Sequence, residues 1–234
     1  MKKLSLFVVL LISSGTLFAQ NSFGPDRPGF GYSSSTTATG MFGIESGVTF
    51  LESESNIGEF FFRAGLTDAF EIQLEAGSLV IPKNGDSKLS TQYLILKHKL
   101  YNTNDGSLQV SAMNRTSLPF LNADETEFFT EFYFLADFTL TDDLGVNTNI
   151  GFGNYAFSDL DNPTFYFTVN PGYVITPGTS VYLGYSYKDE KFFDSNSYEF
   201  GIAHLIHSES QIDLGIVFDD DFNPYLKAGI ATRF

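Results

Sequence analysis

From Glu59 to Gly77 apolar and polar residues alternate on either side of a single break. Phe60, Phe62, Ala64 and Leu66 share one parity, and Glu59, Phe61 and Arg63 share the other. Beyond Thr67-Asp68 the pattern resumes, with Phe70, Ile72, Leu74 and Ala76 set against Glu71, Gln73 and Glu75. A helix would mix these sets, whereas a strand sends successive side chains to opposite faces of a sheet. The stretch therefore predicts a β-hairpin with one greasy and one charged face. The same period runs through Phe42–Phe50, 126–140, 144–153 and 211–218. In 126–140 the apolar parity holds Phe128, Phe132, Phe134, Ala136, Phe138 and Leu140, against Glu127, Glu131 and Asp137. Weaker strands fall near 88–101, 107–118, 164–175, 180–188 and 197–206. The total is about twelve, an even number.

The connections alternate as well. Five are tight: Thr67-Asp68, Asn102 to Gly106, Thr141 to Asp143, Thr176 to Thr179 and His207 to Glu209, and they carry turn-forming residues. The other six, near 53–56, 81–87, 119–125, 157–163, 189–196 and 219–224, are expected to be mostly longer and rich in acidic residues, Asn or Pro. Short turns at one rim and longer loops at the other are the plan of an outer-membrane barrel with both termini in the periplasm.

Alternation by itself fits a soluble sandwich or lipocalin-like barrel equally well, with the Phe face as its core. Three features favour a membrane barrel, in which that face meets lipid. The strands look like ten or more residues each, near the ~9–11 needed to cross a bilayer at a tilt. The last strand ends on an aromatic residue, Phe234, which resembles the assembly signal of bacterial outer-membrane barrels. The polar parity is rich in Gly, as a crowded lumen requires. The fold class predicted is all-β: a transmembrane antiparallel up-and-down barrel over residues 41–234, with outer-membrane lipid and the barrel-assembly machinery as its partners.

The start of the chain adds a destination. Lys2 and Lys3 precede an apolar run from Leu4 to Ile12, and small residues follow up to Ala19. This is the layout of a secretory signal peptide, 1–19, with cleavage after Ala19. The sequence contains no Cys and no Trp, but 26 Phe, 12 Tyr and 21 Gly. Disulfides and zinc–thiolate sites are thereby excluded. The formal charge is -15, which argues against a nucleic-acid partner. Tyrosines take the place of Trp in the interfacial girdle.

The segment "PDRPGFGYSSSTTATGMFGIESG" (25–47) and the echo "RAGLTDAFEIQL" (63–74) resemble the outer-membrane barrels of the MetA-pathway of phenol degradation family. The matching elements are Asp26-Arg27-Pro28, the Ser/Thr stretch Ser33 to Thr37, Gly40, Glu45-Ser46-Gly47 and the Arg63-to-Leu74 turn and strand. Pro25 and Gly29 depart from the family pattern. The resemblance implies a barrel that moves small hydrophobic or aromatic compounds.

On the polar parity lie the candidate lumen residues Glu45, Glu59, Arg63, Glu71, Gln73, Glu75, Lys97, Arg115, Glu131, Asp137 and Lys227, joined by Glu127, Glu199, Asp213 and Arg233. Such charges either pair across the bore as a plug or line a wet path that favours cations and neutral solutes over anions. Asp26-Arg27-Pro28, in the 20–40 segment, is expected to enter the barrel and bond to lumenal Glu or Arg. No cofactor is called for. The acidic stretches 219–224 and 158–163 lack the spacing of a calcium loop. His207-Ser208 are sequence neighbours expected to point apart, so no catalytic pair is read and the chain is not expected to be an enzyme. Two functions remain: a passive channel or transporter, and a non-conducting structural or adhesion barrel.

Overall fold

A computed structural model describes residues 24–27, 29–118, 129–153, 164–190 and 193–234. The signal segment 1–19, Pro28, Glu127 and the 158–163 stretch lie outside the described residues. Thirteen strands occur among those described. They are β1 (Phe42–Phe50), β2 (Glu54–Thr67), β3 (Phe70–Pro82), β4 (Lys88–Leu89), β5 (Tyr93–Asn102), β6 (Leu108–Ser117), β7 (Thr130–Thr139), β8 (Leu144–Gly153), β9 (Thr164–Thr176), β10 (Thr179–Glu190), β11 (Phe193–His207), β12 (Ser210–Phe218) and β13 (Pro224–Arg233). Each pairs antiparallel with its neighbours, and β3 pairs with both β2 and β5. The two-residue β4 only decorates the rim of β3. The remaining twelve form a closed ring.

Closure runs between β1 and β13, in register from Gly43↔Arg233 to Phe50↔Leu226. Phe42 and Phe234 then exchange N–H···O=C bonds of 2.9 Å in both directions. Phe234 thus locks the seam with its backbone while its ring stays exposed. Full closure leaves no strand edge to pair with another chain.

The apolar parity faces outward all around the ring. Phe60 and Phe62 on β2, Phe134 on β7, Phe152 on β8, Leu183 on β10, Phe200 on β11 and Leu214 on β12 are all exposed. A continuous apolar belt of this kind is stable against lipid and not against water. Phe134, midway along β7, carries a direct expectation: Phe134→Arg should cost ~2–4 kcal/mol in vesicles, read as a lowered urea midpoint. Unchanged stability would mean that this face is not covered by hydrocarbon.

The parity breaks above Gly77, whose φ is +77°. Beyond this bulge Ser78 and Val80 turn inward, and Leu79 and Ile81 turn outward. One inserted residue flips every later side chain. Two connections also prove shorter than expected. β1 and β2 are joined by Leu51–Ser53 alone, and β10 and β11 extend until only residues 191 and 192 separate them. The region read as one strand over 88–101 divides into β4 and β5.

Candidate functional site: a plugged lumen

Residues 24–27 and 29–38 run inside the barrel, bonded to its wall. The chain leaves β1 at the short-turn rim, where Thr39 donates to Asp68 Oδ1 through its N–H (3.1 Å) and its hydroxyl (2.6 Å). These bonds hold the Asp68 carboxyl below its usual pKa. The folded value being depressed, the tether is fully present above about pH 4, the ordinary carboxylate value, and is lost as pH falls below it. Protease nicking near Thr39-Gly40 should therefore rise only in acid.

Farther in, β1, β2, β3 and β5 present a buried ionic cluster to the tip of the segment. Their polar parity places Glu45, Arg63, Glu71, Gln73 and Lys97 on one interior face, and Glu71 and Lys97 are direct cross-strand partners. Arg63 donates to Glu45 (2.7 Å) and to both oxygens of Glu71 (3.1 Å each). Asp26 of the segment completes the set. Its carboxylate accepts from Lys97 Nζ (2.7 Å) and Gln73 Nε2 (2.9 Å), and it lies 3.8 Å from Arg63. Glu45 accepts the backbone N–H groups of Asp26 and Arg27, each at 2.9 Å. Lys97 and Glu71 are wholly buried. Charges so far from water survive only because every one has a partner.

Arg27 takes the opposite direction. Its guanidinium donates to Glu59 (2.9 Å) and, at 3.4 Å, to Asp213. Glu59 reaches it from a bulge in β2, where its own φ is +32°, a strained value for a residue with a side chain. Room for the guanidinium comes from Gly47 and Gly229, which are directly paired across the closing seam. A Cβ on either would lie 2.3 Å from Arg27 atoms. Gly47→Val should therefore expel Arg27 and expose the segment to protease while the wall stays closed. Gly172→Ala, where a Cβ meets nothing nearer than 3.9 Å, should not.

Across the lumen, neutral amides receive the rest of the segment. Asn149 of β8 and Asn170 of β9 bind the backbone of Tyr32 and Phe30. Asn147 donates to the Tyr32 carbonyl (3.0 Å) and to Asp137 (2.7 Å). Asp137 in turn accepts from the Ser34 N–H (2.8 Å) and hydroxyl (2.6 Å). Tyr32 sits edge-on to Tyr133, with centroids 5.7 Å apart.

Two further ion groups belong mainly to the wall. Arg115 donates to both oxygens of Glu75 (2.8 and 3.0 Å) and to Glu131 (2.7 Å). It also stacks 3.2 Å over the Tyr93 ring. Lys227 pairs with Glu199 at 3.3 Å and lies 5.4 Å above the Phe30 ring. All eleven residues read from the sequence as lumen-lining are thus placed inside, and all take part in interior bonds or pairs. Asn147, Asn149, Gly47 and Gly229 fall on the inward parity expected of them, but their contacts with the segment, and the part played by Asn170, were not foreseen. The recurrence of Asn at alternate inward positions of β8 is the sequence signal that marks the first two.

Two cavities flank the segment. Toward the short-turn rim lies a cavity of about 400 Å³, lined by Gln109, Asp137, Ser180, Tyr182 and Gln211 among others. Toward the opposite rim lies one of about 340 Å³, lined by Glu59, Phe61, Glu75, Ser78 and Lys227 among others. Asp26, Arg27, Gly31 and Tyr32 line both.

Other candidate chemistry stays at the periphery. His207 Nδ1 and Ser208 Oγ approach to 3.3 Å and do not point apart as expected, because His207 ends β11 and Ser208 begins the turn that follows it. Among the described residues neither makes a further side-chain bond, and both are exposed. Among the described residues no group of three His, Asp or Glu is placed to hold a metal ion.

No protein-family model matches the chain, and no curated protein matches it in sequence. Solved structures do match in fold. A KdgM porin in complex with disordered oligogalacturonate is 9% identical, with a TM-score of 0.62 over 82% of this chain and 99% of that one. A NanC porin is 8% identical, with a TM-score of 0.60 over 82% and 98%. At these identities the likeness is one of architecture.

Proposed function

We propose that the chain is an outer-membrane passive channel, closed at rest by its own residues 24–27 and 29–38. The observation that carries this reading is the pair of cavities, one on each side of the segment, with Asp26, Arg27, Gly31 and Tyr32 as their common wall. Withdrawal of that wall joins them into one path. The belt of outward aromatics and the porin-like fold support placement in the outer membrane. Membership in the MetA-pathway of phenol degradation family is part of the proposal, since the Asp26-Arg27 element behind the resemblance is also the contact centre of the segment.

The interior favours small polar solutes, neutral or cationic. Of the interior groups described above, nine are carboxylates and five are cations. An excess of fixed negative charge repels anions. An acidic oligosaccharide such as the oligogalacturonate named with the KdgM porin is therefore a poor candidate. Apolar surface in the interior is gathered in one cluster, Ile95, Met113, Tyr133 and Leu135, with Tyr32 and Phe61 packed against it. A second reading, a permanently closed structural barrel, is favoured by one observation: Arg63, Lys97 and Arg115 are all locked onto carboxylates.

Single-channel recording of the mature protein in planar bilayers, with and without residues 20–40, separates the two. A channel should show conductance that rises on truncation, with a reversal potential under a salt gradient that marks cation preference. Silence of both forms, each folded by heat-modifiable mobility, would leave the structural barrel.

A further inference from the structure

The wall holds the middle of the segment by its peptide groups. Asn149 accepts the Tyr32 N–H (2.6 Å) and donates back to the Tyr32 carbonyl (2.9 Å). Asn170 accepts the Phe30 N–H (3.2 Å) and donates to the Phe30 carbonyl. Two side-chain amides thus each take one residue's donor and acceptor together, as a neighbouring strand would. Between them Gly31, with φ +83°, brings the backbone close enough that a Cβ there would lie 2.1 Å from Asn149 Oδ1. The pattern extends in both directions: Ser111 donates to the Ser34 carbonyl (2.5 Å), and Gln211 donates to the Arg27 carbonyl (3.2 Å). None of these bonds reads a side chain of the segment.

The geometry points to a peptide-binding lumen, in which Gly29 to Ser33 sit as a resident mimic of a short peptide ligand recognised through its backbone. The inference rests on the reading of the segment as a displaceable plug and names the chemistry that would displace it. A sugar hydroxyl also donates and accepts, so one amide alone does not tell a sugar from a peptide. A donor and an acceptor on one residue, repeated two residues on, is the spacing of a polypeptide. The charged ends, Asp26 and Arg27, anchor the mimic, whereas the amide ladder supplies a recognition tolerant of sequence.

The absence of Trp from the chain supplies the probe. The pentapeptide Gly-Trp-Gly-Tyr-Ser copies the resident stretch with Trp in the place of Phe30, and its Trp emission reports binding without Trp background. It is titrated into the intact refolded protein in vesicles and into full-length Arg27→Gln, in which one anchor is weakened. We expect a saturable blue shift, tighter in Arg27→Gln than in the intact chain. An analogue with esters in place of the Trp and Tyr amides should bind about tenfold more weakly or worse, and Asn149→Leu and Asn170→Leu should each weaken the parent peptide to a similar degree. No saturation in either protein, equal binding of amide and ester peptides, or displacement by maltotriose as efficient as by unlabelled peptide would overturn the inference. A protein that conducts after truncation but ignores the peptide sinks this inference alone. One that binds the peptide yet never conducts sinks the transport reading and keeps the peptide site.

Discussion

Lys97→Met releases the N-terminal segment from the lumen while the barrel wall stays closed. Lys97 is wholly buried and is the nearest cation to Asp26, at 2.7 Å. Met keeps much of its apolar stem and removes the charge. What remains is three buried carboxylates, Asp26, Glu45 and Glu71, around the single guanidinium of Arg63. Removing one partner of a buried pair costs ~3–5 kcal/mol, because the other is left uncompensated. Asp26 alone among the three carboxylates can leave, since Glu45 and Glu71 are fixed to strands. The penalty therefore falls on docking, and the released population should grow by roughly a hundredfold or more.

The check is proteinase digestion of the folded, membrane-embedded protein, alongside single-channel recording. Nicking confined to residues 24–40 and more frequent open events are expected. The double variant Asp26→Asn/Lys97→Met should restore much of the protection, because the lone charge is gone from both sides. A non-additive recovery of this kind is the signature of direct coupling. Equal exposure in the single and double variants would show that the Asp26–Lys97 contact does not hold the segment.

The wall was legible because its logic is local. Alternation assigned Phe60 and Phe62 to lipid and Arg63 to the lumen from two-residue spacing alone, and the five tight turns fell where the turn residues are. The parity failed above Gly77, where a single inserted residue reverses Ser78 to Ile81. A bulge of this kind depends on a left-handed glycine whose need is set by the neighbouring strand and not by its own sequence. Loop lengths failed at β1–β2 and β10–β11 for a related reason: polar residues at the rim can extend a ladder as readily as end it. The site was half legible. Charged side chains on the inward parity must find partners, so Glu45, Arg63, Glu71 and Lys97 announced a cluster. Asn149 and Asn170 did not, since a neutral amide in a lumen reads the same whether it meets water or a peptide group. Gly47 and Gly229 lie far apart in the chain, and only the closing register makes them one window for Arg27.

Arg115→Met should weaken the wall itself and leave the segment docked. The chemistry matches that of Lys97, but the partners differ: Glu75 stands on β3 and Glu131 on β7. Both are fixed to strands, and neither can leave when the charge is lost. Arg115 satisfies them with three donors in one plane and covers the Tyr93 ring at 3.2 Å. The substitution should therefore lower the stability of the barrel in vesicles by ~3–5 kcal/mol. Arg115→Lys should recover only part of this, because an ammonium cannot fork to two carboxylates and stack at once. Arg115→Met combined with Glu75→Gln and Glu131→Gln removes the uncompensated charge and should regain most of the loss. Urea unfolding with intact-barrel mobility as the readout measures the effect, and proteinase protection of residues 24–40 in the still-folded fraction separates it from that of Lys97. A stability change under about 1 kcal/mol, the range of exposed ion pairs, would mean that water reaches this cluster and that the cavity lined by Glu75 is already part of an open path.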